Sequence, residues 1–500
     1  MNDKMKNPFA LLIAILLFTG SPTYSQTLKM SLDDAIAIAT DSSLQAFQVK
    51  NLYLQSYWGY RSFKAARLPA VNLTLQPISY SRTILKRYDS QQDVDVYRPQ
   101  QQLSSYGGLS ITQNFDLTGG TFYINSGLNY IKNMGDNPFE QFNSTPVRIG
   151  YSQSLFGFNS FKWERKIEPL KYEIAKKKYI YDREAISETS TQYFFNLAIN
   201  RLNYEIALGN VNSSDTLYRI GKEKFKIASI TQTDLLALRL DSINASNGLK
   251  NAELQLKQSM YEFNRYLNFA DNTEISLDIP LQPKNLLISI DDALNKMREN
   301  NPNYLSNRQT VMELERELDR SQKSSVFDAS FDASVGFNQV ATSLSKAYVQ
   351  PLQQDLVSVS VSIPILDWGV RKGQVNMAKN RLNTQKFSVQ QTEQSLEQEL
   401  IVAVNNFNIQ NDIILSELEA LDMANRIYDE TVEKFILGSA DYNSLTLSQS
   451  RKESTQIKYI TAIKNYWASY YKIRRMTLYD FEQNLSLSEG FEKELNKGFM

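Results

Sequence analysis

The clearest pattern along the chain is an alternation of apolar and polar residues in several short segments. The segments are residues 71–75, 147–155, 327–338 and 357–365. A period of two is that of a β-strand with one apolar and one polar face. It predicts strands within about 68–157 and 326–366, and these fit a soluble sandwich as well as a membrane-spanning sheet.

The first half contains further alternating residues, from Leu109 to Tyr130, on both sides of Gly119-Gly120. Paired glycines permit a tight turn between antiparallel strands, so an extra hairpin is predicted at about 104–132. Three polar stretches are predicted to be loops on the outer side. They are residues 85–104, 133–144 and 340–354.

A second pattern has apolar residues spaced three and four apart over a very long distance. Residues 370–437 contain no proline, and their spacing is typical of helices that pack against one another. A helix of this extent is about 100 Å long. The first half has a counterpart at about 160–226, in which Pro169 is expected to kink the helix or delay its start. Shorter helices are predicted to follow at about 232–268 and 442–478.

The two halves share short motifs in the same order. Ser31-Leu32-Asp33-Asp34-Ala35 recurs 258 residues later as Ser289-Ile290-Asp291-Asp292-Ala293, and both copies suit the start of a helix. Glu223-Lys224-Phe225 recurs 210 residues later as Glu433-Lys434-Phe435. The difference between the shifts places 48 extra residues in the first half, where the additional hairpin is predicted.

The N-terminus has the features of a secretory signal peptide. Two lysines precede an apolar stretch from Phe9 to Phe18, and small residues lie before a cleavage site after Ser25. No run of about 18 apolar residues follows, so we expect an exported chain without a transmembrane helix. The predicted division of the chain is a signal peptide at 1–25, a first structural repeat at 26–280, a second at 281–480 and a C-terminal tail at 481–500.

Composition limits the chemistry that the protein can perform. The chain has 500 residues, no cysteine and no histidine, and 54 basic residues balance 54 acidic ones. Ser-His and Cys-His catalysis, the usual zinc sites and a lipid anchor on an N-terminal cysteine are thereby excluded. The balanced charge gives no reason to expect a nucleic-acid partner. We therefore predict a protein that is not an enzyme and that has no cofactor and no metal site.

The predicted strands are too few to form a closed structure within one chain. In a membrane every backbone group that faces lipid must be hydrogen-bonded, so open sheet edges are not tolerated. Four or six strands cannot close a membrane barrel. If these strands cross a membrane, copies of the chain must associate to complete the sheet.

The order of elements resembles that of the TolC-like outer-membrane efflux protein family over nearly all of the chain after the signal peptide. The strand-to-helix segments that carry the resemblance are Gln153-Ser154-Leu155-Phe156 and Ile363-Pro364-Ile365-Leu366-Asp367-Trp368-Gly369. The turns between paired helices are similar to the family's Val-Gly-x-x-x-x-Asp pattern. They are Ala228-Ser229-Ile230-Thr231 and Gly438-Ser439-Ala440-Asp441.

The resemblance implies a mixed α+β membrane protein. A homotrimer would form a transmembrane β-barrel in the outer membrane of a Gram-negative bacterium and an α-barrel of long helices in the periplasm. The implied partners are a periplasmic adaptor (membrane fusion) protein, an inner-membrane transporter and outer-membrane lipid. The chain would then be one subunit of an exit duct for efflux or type I secretion.

The resemblance also implies that the two turns are the tips that contact the adaptor. Their residues are Ala228, Ser229, Ile230, Thr231, Gly438, Ser439, Ala440 and Asp441. Ala228 replaces the family's usual glycine, so the two tips are expected to differ in shape. At the strand-to-helix junctions Phe158, Trp368 and Gly369 occupy positions where an aromatic residue lies either at the membrane–water boundary or in ordinary core packing.

Candidates for the channel entrance are Asp234 and Ser444. Asp234 matches a family aspartate that helps to hold the entrance closed through polar links, although capping a helix is an alternative role for it. Ser444 occupies the corresponding place in the second half. Leu447 stands where some members carry an aspartate of a cation-binding ring, so this chain departs from that pattern.

Other functions explain only part of the sequence. A simple porin needs enough strands to close by itself and has short periplasmic turns, which the long helices contradict. A secreted coiled-coil scaffold or adhesin accounts for the helices but leaves the alternating strands unexplained.

Overall fold

The computed structural model describes residues 28–90, 92–134, 138–281 and 285–496, so the predicted signal peptide lies outside it. In chain order the elements are β1 Leu28–Ser31, α1 Leu32–Ser42, α2 Leu44–Ala65, β2 Ala70–Asp89, β3 Val94–Phe115, β4 Gly120–Asn133, β5 Phe139–Leu155, α3 Ser160–Lys226, α4 Gln232–Tyr266, β6 Ile275–Asp278, α5 Ile290–Asn300, α6 Pro302–Ser324, β7 Asp328–Ala341, β8 Leu352–Ser362, α7 Val370–Ile436, α8 Tyr442–Thr477, β9 Tyr479–Asp480, β10 Leu485–Ser486 and α9 Leu487–Asn496.

The chain divides into two compact units. The sheet unit comprises Leu52–Lys178 and Asn301–Glu397, and the helical unit comprises the other described residues.

The sheet unit contains one antiparallel sheet of six strands in the order β2-β3-β4-β5-β7-β8. The additional hairpin is β3 and β4, which are joined by a tight turn. In that turn the amide of Gly119, with a φ of +82°, donates to the Phe115 carbonyl oxygen at 2.9 Å. β2 and β8 each have one neighbour, so the sheet is open at both edges.

The strand register collects the apolar residues on one face of the sheet. One row of directly opposed residues is Val71, Ile111, Ile124, Ile149 and Val335. The next row, which points to the other face, is Asn72, Ser110, Asn125, Arg148 and Gly336. Because opposed residues share a face and successive residues alternate, the sheet has an apolar face and a polar or small one.

Three predicted loops are shorter than expected. β2 continues to Asp89 and β3 begins at Val94, so most of the stretch 85–104 is paired strand. The other two stretches, 133–144 and 340–354, likewise begin and end in strand. Polar composition could not separate strand from loop, because a strand exposed on both faces has no need to alternate.

β8 ends earlier than the alternation suggested. The pattern continues to Ile365, but the strand stops at Ser362. Pro364 has no backbone N–H and cannot extend a hydrogen-bonded ladder. The residues that follow form an exposed connection to α7.

The long helices are present at the predicted positions. α3 and α7 contain 67 residues each, and α4 and α8 contain 35 and 36. α3 begins at Ser160, so Pro169 does not delay its start. The starts of α3 and α7 differ by 210 residues, which is also the shift between the sequence motifs. Within the described residues no helix is both long and apolar enough to cross a membrane.

Aromatic side chains fill the core of the helical unit. Phe194, Phe195 and Phe263 are fully buried, and the ring centroid of Phe194 lies 5.3 Å from that of Phe195 and 6.3 Å from that of Phe263. Burial of such large apolar surfaces stabilises the packing of α3 against α4.

A buried ion cluster holds the chain that follows α8. Arg474 lies 3.0 Å from a carboxylate oxygen of Glu184 and 3.0 Å from one of Asp480, and the Tyr470 hydroxyl donates to Asp480 at 2.7 Å. Burial raises the pKa of Glu184, and the neighbouring Arg474 opposes that shift. Removing one charge would leave its partner buried and unpaired, so the cluster favours a single placement of β9 against α3 and α8.

Candidate functional site: two helix-reversing turns and the strand-to-helix junctions

The first turn reverses the chain between α3 and α4. The amide of Ala228 donates to the Phe225 carbonyl oxygen at 3.0 Å, and that of Ser229 donates to the Lys224 carbonyl oxygen at 2.8 Å. These two bonds satisfy carbonyls at the end of α3 in a Schellman arrangement. Ala228 takes a φ of +55°, a conformation that favours glycine.

A capping box begins α4 directly after this turn. The Thr231 hydroxyl accepts from the Asp234 amide at 3.2 Å, and the Asp234 carboxylate accepts from the Thr231 amide at 3.0 Å and from its hydroxyl at 2.7 Å. The hydrogen bonds from the Thr231 side chain and backbone hold the pKa of Asp234 below its usual range. Asp234 therefore has the capping role that was its alternative to gating.

The second turn, between α7 and α8, has the same backbone bonds. Gly438, with a φ of +82°, donates to the Phe435 carbonyl oxygen at 3.1 Å, and Ser439 donates to the Lys434 carbonyl oxygen at 2.9 Å. The Asp441 carboxylate then accepts from the Ser444 amide at 2.8 Å and caps α8. Hydrogen bonds from the Ser444 side chain and backbone lower the pKa of Asp441.

The expectation that the two turns differ in shape is wrong for the backbone. Ala228 adopts the left-handed conformation that Gly438 adopts in the other turn. The methyl group of alanine makes this conformation less favourable by about 1–2 kcal/mol without forbidding it. The turns differ in their caps instead, because the first has a reciprocal capping box and in the second the Asp441 side chain accepts from the Ser444 amide without such a box.

A lysine joins the ends of the two long helices within the helical unit. Lys224 Nζ donates to the Phe435 carbonyl oxygen at 3.2 Å and lies 4.9 Å from the centroid of the Phe435 ring. The turns thus lie side by side. Sequence inspection missed this contact, although Lys224 belongs to the Glu-Lys-Phe motif that marked the repeat.

The surface next to the turns is partly apolar. Ile227 and Leu437 precede the left-handed residues and are strongly exposed, as are Leu236 and Leu447. Ser444 contributes its backbone amide to a cap, and Leu447 offers no polar group. Among the described residues no group of three or more acidic side chains could hold a metal ion.

The strand-to-helix junctions belong to the sheet unit. The Phe158 ring lies 4.8 Å from the Arg320 guanidinium carbon and is partly covered. Trp368, by contrast, is 88 % exposed, and it takes a φ of +55° beside Gly369 at +87°. Phe158 is therefore partly packed within the sheet unit, whereas Trp368 is not packed in a core.

Residues 293–477 match the family model described as outer membrane efflux protein. Over these residues, which are less than half of the chain, the sequence is similar to that of outer membrane efflux proteins. The resemblance inferred from the sequence is confirmed by this match. The matched family comprises transport proteins of the outer membrane, not enzymes, that function in multi-component efflux systems, and the match supports an efflux channel subunit.

The fold is similar to those of solved outer-membrane channels. The Campylobacter jejuni outer membrane channel CmeC is 14 % identical, with a TM-score of 0.66, 93 % of this chain covered and 88 % of that chain covered. Vibrio cholerae outer membrane protein VceC is 12 % identical, with a TM-score of 0.63, 89 % of this chain covered and 95 % of that chain covered. The open state of the Neisseria gonorrhoeae outer membrane channel MtrE is 12 % identical, with a TM-score of 0.59, 89 % of this chain covered and 88 % of that chain covered. No curated protein sequence gives a significant match.

Proposed function

We propose that three copies of the chain form an exit duct, in which their sheets complete a transmembrane barrel and their long helices form a periplasmic tube. The two turns contact a periplasmic adaptor that is coupled to an inner-membrane transporter, for efflux or type I secretion. Residues 1–25 direct export and are then removed. No lipid anchor contributes, so the barrel alone holds the channel in the membrane.

The observation that carries this proposal is the sheet itself. Its apolar face includes Val71, Leu73, Val357, Val359 and Val361, and all five side chains are more than half exposed. Such a face in one chain needs lipid or protein to cover it. The edges β2 and β8 present unpaired backbone groups, which a neighbouring copy can pair in a closed sheet.

The helical unit supports the same assembly. Several side chains on α7 are apolar and about half exposed, among them Val402, Ile409, Ile413 and Ile427. Their spacing of four and seven, interrupted between Ile413 and Ile427, fits a helix that packs against another helix. A neighbouring subunit supplies that helix in the proposed tube.

Charge placed on either face of one edge strand tests the proposal. Val359 and Ser360 are adjacent in β8, and they lie on the apolar and the polar face respectively. Val359→Asp should prevent insertion into the membrane, because a charge that faces lipid is costly, whereas Ser360→Asp should be tolerated beside water. The readouts are a heat-sensitive, trimer-sized band after detergent extraction and conductance in planar bilayers.

Opposite results for the two variants would reverse the assignment of the faces. Equal tolerance of both aspartates, or a wild-type chain that stays a water-soluble monomer without conductance, would reject the duct and favour a secreted scaffold.

A further inference from the structure

Two tyrosines lie on the polar face of the sheet. Tyr106 is four residues before Ser110 in β3, and Tyr123 is two residues before Asn125 in β4. Ser110 and Asn125 oppose each other in the polar row described above. Because residues two or four apart in a strand share a face, both tyrosines belong to the polar face.

Each tyrosine ring lies flat over a glycine. A β-carbon added to Gly108 would lie 2.7 Å from Cζ of Tyr106, and one added to the opposed Gly127 would lie 3.1 Å from the Tyr106 hydroxyl oxygen. A β-carbon on Gly150, which opposes Tyr123, would lie 2.6 Å from Cε2 of that ring. Gly108 and Gly150 are buried, whereas Tyr106 is 40 % exposed. The rings therefore cover the glycines and leave their own outer faces open.

The surroundings of Tyr106 offer its ring no second place on the sheet. Ser104 lies two residues back on the same face, and Gln76 and Asn129 oppose Tyr106 on the two neighbouring strands. All three have side chains that occupy the space where a flat ring would lie, and only a glycine leaves that space empty. A ring displaced from Gly108 must therefore rise from the sheet.

A raised ring would reach further from the sheet than most of its neighbours. The polar face otherwise carries mainly short side chains, such as Ser110, Asn125, Ser334 and Ser358. In the proposed trimer each ring occurs three times around the passage, so a change in its orientation would narrow the passage from three sides.

We infer that Gly108, Gly127 and Gly150 hold the rings of Tyr106 and Tyr123 flat, and that this arrangement sets the size of solute that can pass the sheet. This inference rests on the proposed function, because it requires that the polar face lines a water-filled passage. The side chains that line a passage determine its width and hence the solutes that it admits.

Stabilisation of the sheet is the other role that these contacts could have. An aromatic ring packed over a glycine compensates for the missing side chain and supports strand pairing. That role alone predicts a loss of stability when Tyr106 or Tyr123 is removed, but it predicts no dependence on the size of a solute. The test must therefore measure passage and not only stability.

A single cysteine can report passage, because the chain has none of its own. Ser360→Cys places the reporter on the polar face of β8. Ser360 opposes Ser330, which opposes Ser154 near the end of β5 that leads into α3. Gly150 lies earlier in β5, and the row of Gly108 lies earlier still. A reagent that enters from the opposite end of the sheet passes both rings before it reaches the reporter.

Maleimides with polyethylene glycol chains of increasing length are added to intact cells, beside a small sulfonated maleimide. Gly108→Val should slow labelling of the reporter by the long reagents about threefold and labelling by the small one little. Gly107→Val is the matched control, because a β-carbon there points to the apolar face and meets Leu75 at an ordinary 3.4 Å. Ser345→Cys, between β7 and β8, should react equally in every background and so reports the amount of channel displayed.

A second substitution identifies the ring responsible. Tyr106→Ala should restore the rate of the long reagents in Gly108→Val, whereas Tyr123→Ala should not. In Gly150→Val the two alanine substitutions should exchange roles. This second pair also provides the test if Gly108→Val is not displayed.

Equal rates of the long reagents in Gly108→Val and Gly107→Val, or a rate that the matching alanine does not restore, would overturn the inference. A reporter at Ser360→Cys that even the small reagent cannot label in an otherwise wild-type channel would instead show that the polar face lines no passage. That result would reject the proposed duct, and this inference with it.

Discussion

The two turns of the helical unit have one backbone conformation built from two different sequences. The first has an alanine at its left-handed position and a reciprocal box between Thr231 and Asp234, and the second has Gly438 and a bond from the Ser444 amide to Asp441 without such a box. The conformation is therefore not a property of glycine alone.

The largest effect is expected where the second turn loses its glycine. Gly438→Val puts a β-branched side chain at a φ of +82° and should destabilise the turn by about 1–2 kcal/mol, since the left-handed region disfavours such residues. We expect trimers to form while transport by cells of the native host falls, because the turn is the proposed adaptor contact. Hydrogen exchange at residues 437–445 and a transport assay measure both.

Two variants sharpen that result. Gly438→Ala should keep the turn, since Ala228 already occupies the equivalent conformation, and Gly373→Val should leave it intact because Gly373 lies inside α7 with open space around it. Unimpaired transport by Gly438→Val would show that the second turn is not the docking tip.

The next effect concerns the capping box. Thr231→Ala removes the hydroxyl that accepts from the Asp234 amide, and it should destabilise the start of α4 by about 1 kcal/mol. Faster hydrogen exchange in the first turn of α4, with no change in the first turn of α8, is the expected observation. Thr233→Ala is the control, because Thr233 is exposed and lies inside the helix. Equal effects of both variants would contradict a specific role for the cap.

A smaller gain is expected from relief of strain in the first turn. Ala228→Gly removes about 1–2 kcal/mol of left-handed strain but adds flexibility to the unfolded chain, which leaves a net stabilisation below about 1 kcal/mol. Slower exchange of the Ser229 amide would report it. Ala237→Gly, inside α4, should have the opposite sign. A loss of stability in Ala228→Gly would show that the turn is not strained there.

Acid should weaken both helix caps. This change in stability should be smaller than those of the variants above, because the two carboxylates are exposed. Interactions with Thr231 and Ser444 lower the pKa values of Asp234 and Asp441, so their stabilisation is present above the unfolded-state pKa of about 3.9 and is lost as pH falls through the lowered folded-state pKa. Hydrogen exchange, corrected for its intrinsic pH dependence, should rise at both helix starts below about pH 4. Asp234→Asn should remove this dependence from the first turn only.

The sequence predicted local elements well because their causes are local. Alternation revealed the strands, the apolar spacing revealed α3 and α7, and Gly119-Gly120 revealed the hairpin turn. The sequence-based prediction was wrong where only polar composition was available, as in the stretch 85–104. Most of that stretch is paired strand. The expected difference between the turns was wrong because a preference of alanine was treated as a prohibition.

By itself the sequence determined that strands lie between very long helices, because periodicity and caps depend on neighbouring residues. Only the tertiary structure decided which strands are neighbours, that the apolar residues share one face, and that β2 and β8 are left open. It also decided the contact of Lys224 with Phe435, 211 residues apart, and the pairing of Arg474 with Glu184. Such contacts depend on how distant segments pack, and no local pattern encodes that.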